Sequence, residues 1–105
     1  QMNAGSLTGQ FGKWVKKVSF EMMDHQLIHF VASDCHDANN RTLNLSKAYK
    51  VITRYWGEET ASRLIKTNPY KAVKGEEIIP PIPLPVDRSG VKQLRRLLFR
   101  ILNQR

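Results

Sequence analysis

The sequence predicts an α/β fold built from parallel βα units, and three observations predict it. An apolar run at residues 27–32, rich in branched and aromatic side chains, has the composition of a buried parallel strand rather than an exposed hairpin strand. Segments with a hydrophobic period near 3.6 residues lie on both sides of that run. Strand, helix, strand and helices then alternate along the chain, the order expected of βα units. With 105 residues, 41% of them hydrophobic, and a mean hydropathy of −0.44, the composition suits one soluble domain and excludes a low-hydrophobicity disordered chain.

Each element has its own warrant. Residues 1–4 read as a short strand, and residues 5–12, with three glycines, as a turn. An amphipathic helix is expected over residues 10–26, with Phe11, Trp14, Val15, Val18, Met22 and Leu27 near one face. After the strand at 27–32, residues 33–42 form a polar loop. Asn44 is an N-cap candidate for a helix to about residue 56, with Leu45, Ala48, Tyr49, Ile52 and Tyr55 on one face. Gly57 breaks that helix, and Glu58 and Glu59 open the next with acidic side chains that favour its dipole. Asn68 and Pro69 read as an N-cap and first helical residue, and Gly75 as the stop. Residues 78–85 hold four prolines, which favour polyproline II and forbid a helix. Residues 90–105 regain helical period, with Val91, Leu94, Leu97, Leu98, Ile101 and Leu102 as an apolar stripe. The predicted organisation is a body over 1–77, a proline-rich linker over 78–89 and a basic amphipathic helix over 90–105.

Charge narrows the function classes. The formal net charge is +8, but residues 87–105 carry six basic groups and one acid, a net +5. The basicity therefore belongs mainly to a tail, and the body is not predicted to bind nucleic acid. That tail can pack its leucines on the body or on another subunit. It can equally lie on an anionic membrane surface, drawn by ~1 kcal/mol per basic residue. A single cysteine, Cys35, excludes an intramolecular disulfide framework and a CxxC zinc site, and fits a reducing cytosol. No apolar run nears the ~18–20 residues of a membrane span, and the sequence shows no signal-peptide pattern, so a cytoplasmic location is expected. The aromatic residues Trp14, Phe20, Phe30, Tyr49, Tyr55 and Trp56 are spaced for core packing rather than base stacking. His29 reads as a core histidine, and His25 lies near a helix C-terminus, where a cation is favourable.

The chemistry concentrates in residues 33–42. Cys35 and Arg41 have the spacing of the cysteine-dependent tyrosine phosphatases, in which a thiolate attacks phosphorus. Such a loop must aim its backbone N–H groups at the anion, usually with glycines. Residues 36–40 hold no glycine, and Asp37 would repel phosphate, so this reading is disfavoured. Asp34 and His36, two residues apart after a buried strand, can instead face one pocket as metal ligands.

The opening stretch from Gln1 through Gly12, with its NAGSLTG segment, the segment HFVASDCH at residues 29–36, and then Arg41 resemble the polymerase-and-histidinol-phosphatase (PHP) superfamily. More narrowly, they resemble the bacterial manganese-dependent protein-tyrosine phosphatases of capsular and exopolysaccharide operons. The likeness extends to about Gly75, and HFVASDxH is its most specific part. That family usually has alanine where this chain has Cys35, which argues against a thiol role, and often asparagine where it has Asp37.

The resemblance implies the C-terminal βα units of a distorted PHP-type (β/α) barrel. It implies that Asp34 and His36 are catalytic residues and ligands of a multinuclear divalent-metal site, most naturally Mn2+. Arg41 would bind the phosphate of phosphotyrosine, and metal-activated water would be the nucleophile. Partners implied are a phosphotyrosine protein, in particular a membrane-anchored bacterial tyrosine kinase, with membrane-surface contact through residues 90–105. It also implies that most ligands, a His-x-His pair among them, precede Gln1, so that this chain is the C-terminal portion of a longer enzyme, inactive and self-associating by itself. The alternatives are another PHP phosphoesterase, such as a histidinol-phosphate phosphatase, or a non-catalytic module whose basic tail binds membrane or nucleic acid.

Overall fold

Strand β1 (Met2–Asn3) and strand β2 (Val31–Ala32) form a two-stranded parallel sheet, with Met2 opposite Val31 and Asn3 opposite Ala32. The computed structural model describes residues 1–36, 45–85 and 90–102. Parallel strands need a crossover, and here it consists of helices α1 (Ala4–Thr8) and α2 (Lys13–Asp24). Helix α3 (Leu45–Trp56), helix α4 (Glu58–Ser62), a π-helical turn (Arg63–Thr67), helix α5 (Asn68–Lys74) and helix α6 (Gly90–Leu102) follow. The helix-rich α/β class expected from the sequence is the one observed.

Both strands are shorter than predicted. The apolar run at 27–32 begins with the closure of α2: Gln26 takes a left-handed φ of 57°, Gln26 N–H donates to Met23 O, and Leu27 N–H donates to Met22 O. This Schellman arrangement uses the amide that strand pairing would need. Residues 5–8, expected as part of a turn, and Ala4, expected to end the strand, are helical instead. Gly9, at φ 88°, ends α1 with the same pattern, Gln10 N–H donating to Gly5 O at 2.9 Å. Gly5 is required by close approach, because a Cβ there would lie 2.6 Å from Gln10 Oε1 and 2.9 Å from Phe11 Cε2.

The core lies where α1, α2 and α3 meet the sheet. Met2, Ala4, Leu7, Phe20, Met23, Ile28, Val31, Ala48, Ile52, Ala61 and Leu64 are all buried, and Leu45, Tyr49, Tyr55 and Trp56 pack around them. The face predicted for α3 is the one it buries. That of α2 is not. Phe20 and Met23 are its core residues, while Phe11, Trp14, Val18, Met22 and Leu27 are exposed, Trp14 by 73%. The reason is aromatic packing: the Phe20 ring sits edge-on to Tyr55 and Trp56, each at 4.9 Å between centroids. Aromatic packing in the core therefore holds for Phe20, Tyr55 and Trp56 but not for Trp14.

Two predicted helices, 58–66 and 68–74, form one rod with a π turn between them. Proline at 69 has no N–H and its ring crowds the preceding turn, so the ladder widens before it, and Asn68 N–H reaches back to Arg63 O. Asn68 is consequently helical (φ −66°, ψ −44°) rather than an N-cap, and its amide donates to His29 O at 2.9 Å, tying the rod to the strand approach.

His25, the C-cap of α2, sits at the helix C-terminus expected for it, but it is buried, with 3% exposed, while His29, expected in the core, is only half-buried. Leu84 N–H donates to His25 O at 3.0 Å, and His25 Nδ1–H donates to Leu84 O at 2.9 Å. A carbonyl can only accept, so the proton sits on Nδ1 and Nε2 is left to accept from Arg96 Nη1 at 3.2 Å. The neighbouring Asp24 accepts from Trp56 Nε1 at 3.0 Å and pairs with Arg100, whose guanidinium lies over the Phe20 ring. Helix α6 thus rests on the body through Arg96 and Arg100. Its apolar residues face outward: Leu94, Leu97, Leu98, Ile101 and Leu102 are all about half exposed or more. No described helix is long and apolar enough to cross a membrane.

Candidate metal and phosphate site

The site begins where β2 ends. Asp34 takes a left-handed φ of 49°, a conformation that aspartate tolerates better than most residues and that turns the chain sharply after the strand. The turn folds His36 back, so that its Nδ1–H donates to Asp34 O at 2.7 Å. The same ring nitrogen lies 3.9 Å from Asp34 Oδ1. Carboxylate and imidazole, two residues apart in sequence, are therefore brought to one point. Both remain open to a ligand, with side chains 39% and 56% exposed.

The tautomer matters for chemistry. With Nδ1 protonated by its bond to the Asp34 carbonyl, the lone pair of His36 is on Nε2. A ligating histidine whose other nitrogen donates to a backbone carbonyl is the usual arrangement at protein metal sites. Asp34 adds a hard anionic oxygen. The pair fits a divalent cation as two of its ligands. Among the described residues no group of three or more His, Cys, Asp and Glu side chains converges, so a cation held by this pair would take its other donors from outside them.

The other predicted residues are soon placed. Cys35 is an exposed cysteine, outside any disulfide, between the two ligand candidates. Arg41, Asp37 and the Asn44 cap lie outside the described residues. One participant had no assigned role in the sequence: Asn3, the last residue of β1, whose Nδ2–H donates to Asp34 Oδ2 at 3.3 Å. The sequence reads Asn3 as part of a short strand, and no local signal links it to Asp34, 31 residues away.

A short parallel sheet flanked by helices, with an Asp-x-His pair at the C-terminal end of its second strand, is the class of structure in which α/β metallohydrolases place their ligands. The comparisons specify the family. The family described as "Capsular polysaccharide synthesis, CpsB/CapC" matches residues 1–74. This chain belongs to the CpsB/CapC family. It is 35% identical over 88 residues to the tyrosine-protein phosphatase YwqE of Bacillus subtilis (strain 168), covering 84% of this chain and 34% of that protein. It is 38% identical over 66 residues to the tyrosine-protein phosphatase CpsB of Streptococcus agalactiae, covering 63% and 27%. The fold superposes on a crystal structure from the study of YwqE and of CpsB from Streptococcus pneumoniae, described as unique metal-dependent tyrosine phosphatases. The TM-score is 0.76 at 35% identity, covering 82% of this chain and 34% of that one. The chain thus spans about a third of the length of these relatives.

Proposed function

We propose that these residues are part of a metal-dependent protein-tyrosine phosphatase acting in capsular or exopolysaccharide biosynthesis, and that they form the C-terminal βα units of its PHP-type barrel. The observation that carries the proposal is the Asp34–His36 pair, held at the end of β2 with Nε2 free of its own backbone, in a chain whose relatives are named tyrosine phosphatases. Asp34 and His36 would hold a divalent cation; an oxygen-and-imidazole donor set is compatible with Mn2+, the metal the family resemblance implies, and also with iron or zinc. Such a cation supplies positive charge to phosphoryl oxygens and makes water a better nucleophile near neutral pH. Arg41 contributes a planar guanidinium suited to two phosphate oxygens at once. Cys35 takes no part, because the residues around it are wrong for an anion-cradling loop.

A membrane-anchored tyrosine kinase is the proposed source of the phosphotyrosine, with the phosphatase working on the cytoplasmic side. Two features support contact with the membrane surface through residues 90–105. The helix contains no acidic residue, and its apolar side chains point away from the body. The exposed apolar stripe of α2 supports the reading that further structure, or a second copy, covers that face.

The mechanism is tested by comparing two variants of the complete gene product on a phosphotyrosine peptide. Cys35→Ala should stay within a few-fold of the parent. Arg41→Ala should lose turnover and substrate affinity together, by about 10- to 100-fold, since a charge-assisted phosphate contact contributes about 1.5–3 kcal/mol. A dead Cys35→Ala beside an active Arg41→Ala would instead establish the thiolate mechanism. The same assay separates the rival phosphoesterase reading, which requires histidinol phosphate to be the better substrate.

A further inference from the structure

Asn3 gives up one favourable arrangement to make another. It occupies the N-cap position of α1, where an asparagine side chain ordinarily accepts a hydrogen bond from the first turn, yet it makes no such bond. Its amide turns instead to the neighbouring strand. The parallel register sets Asn3 beside Ala32, two residues before Asp34, and Nδ2–H donates to Asp34 Oδ2 at 3.3 Å. The other end of the same amide is unfinished: Oδ1 is shielded from solvent and accepts no hydrogen bond. Buried acceptors without a donor are rare in native proteins, because desolvation is not offset. A simple tie between strands would not need one.

We infer that Asn3 is a positioning residue for Asp34: its Nδ2–H selects the carboxylate orientation presented to a divalent cation. The inference rests on the metal-binding reading of Asp34 proposed above. The Asp34 backbone is left-handed and its side chain 39% exposed, and the hydrogen bond from Asn3 restricts the orientation of its carboxylate. The contact runs from the end of one parallel strand to the turn after the next, so both strands serve one site at the C-terminal end of the sheet.

Isothermal titration of the metal-stripped complete gene product with Mn2+ tests this, using the parent, Asn3→Ser, Asn3→Ala and Asp34→Ala. Serine is itself a good N-cap but too short to reach Asp34, so it separates the helix-capping role from the positioning role. Asn3→Ser should unfold at the parent's temperature or above when metal-free, yet bind Mn2+ about 10- to 100-fold more weakly, the range usual for residues that orient a ligand. Asn3→Ala should bind equally weakly, with lower metal-free stability. At saturating Mn2+ both should recover turnover on a phosphotyrosine peptide to within a few-fold, because the ligands themselves remain. If both Asn3 variants bind Mn2+ within twofold of the parent while Asp34→Ala does not, Asn3 has no positioning role. If Asp34→Ala also binds as the parent does, the metal reading of Asp34 fails and the inference with it.

Discussion

His36→Ala in the complete gene product is expected to lower phosphotyrosine hydrolysis by more than about 100-fold at saturating Mn2+, and Asp34→Ala by a similar factor. Residues that merely orient ligands already cost 10- to 100-fold when removed, so loss of a ligand should exceed that range. The two effects should not multiply in the double variant, because both residues serve one centre and removing either disables it. Initial rates on a phosphotyrosine peptide, with metal content measured on the same samples, check this. A His36→Ala enzyme with parental metal content and near-parental turnover would remove His36 from the site.

The largest structural effect is expected at the contact between α1 and α3. Leu7 and Ile52 are both fully buried, and they bring a five-residue helix, too short to be stable by itself, against the longer α3. Leu7→Ala or Ile52→Ala should destabilise the fold by about 2–5 kcal/mol, the transfer term plus that of a cavity the neighbours cannot close. For a domain of this size that is a large share of total stability. Urea unfolding followed by circular dichroism reads it as a shift in midpoint without a change in slope. Trp14→Ala, at an exposed position on α2, should shift the midpoint little in the same assay.

How much of this was legible in the sequence depends on what decides each element. Periodicity located α3 and its buried face, because Ala48 and Ile52 have one dominant partner, the body of the core. It failed on α2, which is apolar on two sides. Which side is buried is decided by Tyr55 and Trp56, over 30 residues away, and no local pattern contains that information. The strands shrank because the Schellman closure at Gln26 competes for the same amides, and glutamine is not the residue that usually announces a left-handed turn. The burial of His25 has the same origin, since its hydrogen-bond partners Leu84 and Arg96 lie far along the chain.

At the site, Asp34 and His36 were visible because their spacing and the preceding apolar run are local features. The structure added the left-handed turn and the tautomer that leaves Nε2 for a ligand. Asn3 could not be singled out, because it reads as an ordinary residue of a short strand and its partner Asp34 lies 31 positions further along the chain. Only the parallel register of β1 and β2 brings the two together.

The central claim is that the phosphoryl chemistry depends on a metal held in part by Asp34 and His36. The most direct measurement is the rate of phosphotyrosine-peptide hydrolysis by the complete gene product in excess EDTA, then after dialysis and addition of Mn2+. The account predicts a loss to background in EDTA, recovery with Mn2+, and no recovery when His36 is alanine. Full activity in excess chelator, abolished by Cys35→Ala, would contradict it.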